Sequence, residues 1–195
     1  MTGLFLASQV LLWIAVGVLA VLVAALARQV GVLHERIAPA GALTLHQKVN
    51  VGDKGPDMRL TALDGAEVQV GGARDRSQLL FFLSPDCPVC KTLLPVIKSA
   101  RAAERNWVDV VLASDGEAAD HRRLVMAEGL SGIPYVLSEP LGRALGVSKL
   151  PYAVLLDEQG RIASLGLVNN REHLESLFEA KERGVASIQQ YLAQR

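Results

Sequence analysis

Residues 79–97 read LLFFLSPDCPVCKTLLPVI. The unbroken apolar run from Leu79 to Leu83 has the composition of a strand covered on both faces. Ser84-Pro85-Asp86 then punctuates the chain. From Val89 apolar residues return at helical spacing, with Leu93, Leu94 and Ile97 on one face. Between strand and helix stand Cys87 and Cys90, the only two cysteines of the chain. Two sulfurs at C-x-x-C spacing close a small disulfide ring with little backbone distortion, and a helix N-terminus favours the thiolate of the first. The helix dipole contributes ~0.3–2 kcal/mol at such a position, enough to lower a thiol pKa of ~8.5 by up to ~1.5 units. Cys87 is therefore the expected nucleophile and Cys90 the resolving thiol. Pro88 suits the first helical turn, where its missing N–H costs nothing, and Pro95 is expected to kink the helix.

Other chemistries of a paired cysteine fare less well. A zinc site needs a second ligand pair, but His34, His46, His121 and His173 are dispersed. Covalent haem attachment needs histidine directly after the second cysteine, and that residue is Lys91. An inert structural disulfide stays as the alternative to a reactive one. His121 is flanked by Arg122 and Arg123 and reads as part of a solvated helix face; His173 reads as a surface residue in the first turn of a helix. No phosphate-binding glycine loop and no G-x-S-x-G elbow is present, so neither cofactor nor metal is expected.

Outward from the dithiol, strand and helix signals alternate. Met58–Leu60 and Val68–Val70 flank the turn signal Asp64-Gly65. After the central strand and helix come a second buried strand at Val108–Ala113 and a helix over residues 117–129 that closes at Gly129. Tyr135–Leu137 is followed by a stretch containing proline and glycine. Tyr152–Leu156 and Ile162–Leu165 then flank a turn over residues 157–160. Asn170 is an N-cap for a helix to about Arg183, Gly184 stops it, and Val185, Ile188 and Leu192 mark a last amphipathic piece. The class is α/β. Pro151, opening the strand at Tyr152, is the third candidate site residue. A cis Leu150–Pro151 bond costs only ~0.5–1 kcal/mol, and a trans strand-start proline is the alternative.

The chain has 195 residues, with 20 Lys+Arg against 20 Asp+Glu, and its mean hydropathy is +0.27. Balanced charge argues against nucleic acid as a partner. The apolar excess lies at the front: residues 2–27 hold no charge, long enough as a helix to cross the ~30 Å hydrocarbon layer. Residues 1–27 thus read as a transmembrane anchor. The alternative is a cleaved signal peptide, since Ala25-Leu26-Ala27 has the A-x-A form, but no basic side chain precedes the run and it is longer than an h-region of ~7–15 residues. Residues 28–55 form a polar stalk broken at Pro39 and Gly41, and 56–195 the globular domain with a C-terminal helical extension. Arg28 and Arg36 after the span would by themselves keep that domain cytoplasmic.

Strand, Cys87-Pro88-Val89-Cys90, proline-containing helix, and Pro151 opening a strand, hairpin and helix together resemble the thioredoxin fold, with Pro151 in the place of its cis-proline. Gly52-x-x-x-Pro56-Asp57 is similar to the membrane-anchored, redoxin-like branch. LARQVGVLHERIAPAGAL (26–43), FFLSPDCPVCKTLLPV (81–96), VSKLPYAVLLDEQG (147–160) and GLVNNREHLESLFEAKERGVASIQ (166–189) resemble the methylamine utilization accessory proteins over nearly the whole chain. That resemblance implies an inner-membrane protein with its catalytic domain in the periplasm, acting in disulfide formation, processing or export of the methylamine dehydrogenase small (beta) subunit, with room for a membrane redox partner. Asp86 stands where thioredoxins usually have tryptophan. Its charge opposes a thiolate at Cys87, which leaves oxidant and reductant both open. A tethered binding chaperone with a dispensable dithiol is the rival reading. A peroxidase is weaker still, because Ser84 precedes Cys87 by three with no peroxide-activating Thr/Arg set.

Overall fold

A computed structural model describes residue 3, residues 8–23 and residues 49–183. Residues 8–23 are helical with exposed side chains. Among the described residues no helix is long and apolar enough to cross a membrane. The expected span runs beyond residues 8–23 at both ends; its flanks, most of the stalk, and Val185, Ile188 and Leu192 lie outside the described residues.

The domain is organised on one strand. β1 (Met58–Thr61) and β2 (Glu67–Val70) pair antiparallel as a separate hairpin, Met58 opposite Val70. β3 (Ser77–Phe82) is the centre of a five-stranded sheet of order β5-β4-β3-β6-β7. β4 (Val108–Ser114) runs parallel to it on one side, and β5 (Tyr135–Leu137) extends that half. β6 (Tyr152–Leu156) runs antiparallel on the other, followed by β7 (Ile162–Leu167). With neighbours on both edges and cover on both faces, every residue of β3 is buried, which is why its sequence does not alternate.

Four helices cover the sheet: α1 (Pro88–Ala103), α2 (Ala118–Glu128), α3 (Glu139–Ala144) and α4 (Arg171–Glu182). Leu79, Phe81 and Leu83 point to one face, where they pack with Leu93, Leu94 and Ile97 of α1, Leu124 of α2, and Leu174 and Phe178 of α4. Leu80 and Phe82 point to the other, against Leu141 of α3 and Val70 of β2. The 3.6-residue period of α1 and the 2-residue period of β3 thus meet in one layer. Each fully buried leucine contributes ~1.5–3 kcal/mol relative to exposure.

The helix ends follow their caps. The Asn170 side chain accepts the His173 N–H at 2.8 Å, and Gly129 closes α2 in the left-handed conformation at φ 60°. α3 falls within the proline- and glycine-containing stretch after Tyr135–Leu137. Ser138 starts it by accepting the Leu141 N–H at 3.2 Å, with Pro140 in the first turn. The signal, a serine cap followed by proline, is present but short.

At the start of β3, Lys181 of α4 donates to Ser77 Oγ and pairs with Glu158, and its ammonium lies 4.8 Å from the centre of the Trp107 ring. Chiefly through that hydrogen bond from Lys181, the Glu158 carboxyl is held below its ordinary pKa. A depressed carboxyl contributes stability above its unfolded pKa and loses it as pH falls through the folded one. Lys181→Met is therefore expected to lower unfolding free energy at pH 7 and to make the decline below about pH 5 shallower than in the wild type. Urea unfolding across that range reads both effects.

Candidate functional site

The dithiol emerges where the sheet ends. Leu83, one residue past β3, donates its N–H to Ala113 O at 3.1 Å, which extends the parallel pairing to the edge of the loop. Four residues on, Cys87 is the N-cap of α1 in extended conformation, and Pro88 takes the first helical position. Cys87 and Cys90 form a disulfide, their Cα atoms 5.2 Å apart. The Cys90 N–H points at Cys87 Sγ, 3.1 Å away. A first-turn helix N–H is thus directed at the first sulfur, the arrangement that stabilises a thiolate there.

The two sulfurs differ in access. Cys90 is 0% exposed, packed with Leu93, Leu94 and the β3 side chains, whereas Cys87 is only partly buried. Asp86, Pro88 and Val89 around it are exposed. An exposed carboxylate at Asp86 is well solvated, which weakens its opposition to charge on Cys87. Pro151 is buried and the Leu150–Pro151 bond is cis. Tyr152 pairs with Phe82, so the proline and the dithiol loop leave the same end of the sheet. Burial raises the Tyr152 phenol above its ordinary pKa.

His121 corrects the sequence reading. Far from lying on a solvated face, it is 2% exposed. Its Nε2 lies 2.8 Å from Asp115 O and its Nδ1 2.6 Å from the Tyr135 hydroxyl. A carbonyl can only accept, so Nε2 donates, and in the neutral ring Nδ1 accepts a hydrogen bond from the tyrosine hydroxyl. Burial pushes the Tyr135 phenol far above its usual value, opposed in smaller part by the neighbouring Ser114 side chain. Ser114 Oγ donates to Leu83 O at 2.6 Å. That bond ties the end of β4 to the root of the dithiol loop. His173, as expected, is exposed. Among the described residues no group of His, Cys, Asp and Glu could hold a metal ion.

Residues 50–181 match the Redoxin family model. A thiol-disulfide oxidoreductase of Bacteroides fragilis has the same fold, with TM-score 0.56 and 18% identity, covering 65% of this chain and 98% of that one. A peroxiredoxin-like protein of Aquifex aeolicus is as similar, with TM-score 0.56 and 23% identity over 68% of this chain and 86% of that one. These likenesses show the fold, and the chemistry rests on the residues of the site. Methylamine utilization protein MauD of Paracoccus denitrificans is 46% identical over 197 residues, covering 100% of this chain and 98% of its own. The chain belongs to the redoxin family and, among its members, to the methylamine utilization proteins named MauD.

Removing the Tyr135 hydroxyl leaves a buried ring nitrogen without its partner. Tyr135→Phe is expected to cost about 1–3 kcal/mol of unfolding free energy by orphaning His121 Nδ1. Urea unfolding measures it; an unchanged midpoint contradicts this account of the cluster.

Proposed function

We propose that this chain is a membrane-tethered thiol–disulfide oxidoreductase of the periplasm that forms or reshuffles disulfides in the methylamine dehydrogenase small subunit. The observation that carries the reading is the Cys87–Cys90 disulfide at the head of α1, with the Cys90 N–H aimed at Cys87 Sγ. Likeness to MauD over the full chain supports the partner, because a protein of methylamine utilization bearing a dithiol needs a cysteine-rich client. Residues 1–27, apolar and without charge apart from the α-amino group, serve as the tether. The two arginines after it oppose a periplasmic domain, but disulfide chemistry on an exported client outweighs them.

The exchange proceeds by balanced thiolate displacements. In the oxidising direction a client thiolate attacks Cys87 Sγ, the Cys87–Cys90 bond breaks, and the electron pair leaves on Cys90. A second client thiolate then attacks the client sulfur of the mixed disulfide, releasing reduced Cys87 and the client's new disulfide. In the reducing direction the Cys87 thiolate opens a client disulfide, and Cys90 displaces the client thiolate from Cys87. Both directions pass through Cys87, because only that sulfur reaches solvent. Pro151, at the same end of the sheet, offers backbone for the client chain to lie against.

Removing the resolving thiol should lengthen the life of the mixed disulfide. In acid-quenched cells run without reductant, Cys90→Ser is expected to accumulate a reducible cross-link to the methylamine dehydrogenase small subunit, and Cys87→Ser is not. Normal maturation of the dehydrogenase in the Cys87→Ser, Cys90→Ser double variant, with no trapping by either single one, points instead to a binding chaperone. A phosphatase fused to the C-terminus should be active; activity only from a cytoplasmic reporter at the same point would place the domain on the other side.

A further inference from the structure

The end of the domain opposite the dithiol holds a cleft of about 620 Å³, bounded by β2, the first residues of β3 and β4, and the C-terminal half of α1. Arg74, Arg76, Lys98, Arg101 and Arg105 line it. Only two carboxylates, Glu67 and Asp109, face them. Asp109 is shared between Arg74 at 3.6 Å and Arg76 at 3.2 Å. Lys98 and Arg101 are held by backbone carbonyls, Glu128 O at 2.8 Å and Gly132 O at 2.7 Å, which fixes their positions without cancelling their charge. Arg74 Nε is buried with no hydrogen-bond partner. The cleft is therefore a concentrated positive site on a domain that, from Pro56 onward, has a slight acidic excess. Thiol exchange at the other end of the sheet makes no use of it.

The chain enters the domain at this same end. Gly52 N–H donates to Ile162 O and Gly55 N–H to Gly160 O, each at 2.8 Å, and Arg161 Nη1 reaches Gly52 O at 3.0 Å. These residues flank the turn after Leu156, which pairs with Gln78 at the start of β3. Arg74 N–H donates to Glu158 O of that turn at 2.9 Å. The first arginine of the cleft is thus bonded to the turn beside the entering stalk.

We propose that this cleft binds the phosphate headgroups of anionic phospholipid, so that the domain rests on the membrane with its dithiol facing away. The proposal builds on the tether reading above. A stalk of residues 28–48 can reach at most about 70 Å, which limits the distance of the domain from the membrane but not its orientation. Convergent guanidinium groups match phosphate oxygens in fork geometry. An acidic segment of a protein would suit the same charges, but a tether keeps the domain within reach of lipid, the chain enters the domain beside the cleft, and no client feature selects it. Near an anionic surface each cation removed weakens the docked state about five-fold.

The test uses the full chain carrying Trp13→Phe, which leaves Trp107, adjoining the cleft residue Val108, as the only tryptophan. It is placed in nanodiscs containing a headgroup spin-labelled lipid, in phosphatidylcholine alone or with phosphatidylglycerol. Trp107 fluorescence is expected to be quenched more strongly with phosphatidylglycerol, and the excess to vanish at about 1 M salt, where the Debye length is ~3 Å. Arg101→Gln with Arg105→Gln should reduce the docked state roughly twenty-five-fold, and Lys98→Gln alone about five-fold, with dithiol reactivity unchanged in both. A chain that floats with the discs yet is quenched equally in both lipids overturns the headgroup site and leaves the tether intact. One that fails to float overturns the tether and this inference with it. Equal quenching in both lipids, together with polyglutamate binding that the double variant abolishes, assigns the cleft to an acidic protein segment instead.

Discussion

The pairing of β3 on both edges is the constraint from which the rest follows. Because Phe82 is held opposite both Ala113 and Tyr152, the chain leaves the sheet at a defined point, and the Leu83 N–H prolongs the ladder one residue further. Only three residues separate Leu83 from the cap of α1. The position of the disulfide is thus set by a buried, fully paired strand and by the packing of α1 on it. Cys90, Leu93, Leu94 and Ile97 secure that packing by burying one helix face against β3. The reactive loop itself has little freedom to contribute.

Cap and chemistry share one side chain. An N-cap is usually an oxygen that accepts an amide N–H from the first turn. Here a sulfur does so, which ties the local stability of α1 to the state of the dithiol. Asp86 beside it is exposed to solvent, whereas the backbone donor is fixed 3.1 Å from the sulfur. The same economy recurs at Ser114, which ends β4 and also holds the Leu83 carbonyl at the loop root.

Most of the architecture was legible because its signals are local. The dithiol, the buried run before it, both hairpin turns, the Gly129 stop and the Asn170 cap each lie within a few residues of what they determine. α3 escaped because six residues give too little periodicity, and only Ser138 with Pro140 announces it. His121 was misread for a different reason. Its neighbours Arg122 and Arg123 are exposed, but His121 and Leu124, three apart, face inward together, and the histidine's partner Tyr135 lies fourteen residues further on. The polarity of adjacent residues says little about a position whose partners arrive from another strand. The basic cleft was hidden in the same way: Lys98 and Arg101 lie on α1 and Arg105 just after it, but Arg74 and Arg76 join them only through the fold.

The complete burial of Cys90 has a consequence for oxidative damage. A sulfenate formed by peroxide at the accessible Cys87 meets a thiol three residues away, and condensation with loss of water returns it to the disulfide before further oxygen can add. Cys90 itself, with no exposed surface, is out of reach of the oxidants that drive cysteine to the irreversible sulfinic and sulfonic acids. The geometry that divides the two roles in exchange thereby also keeps the pair recoverable.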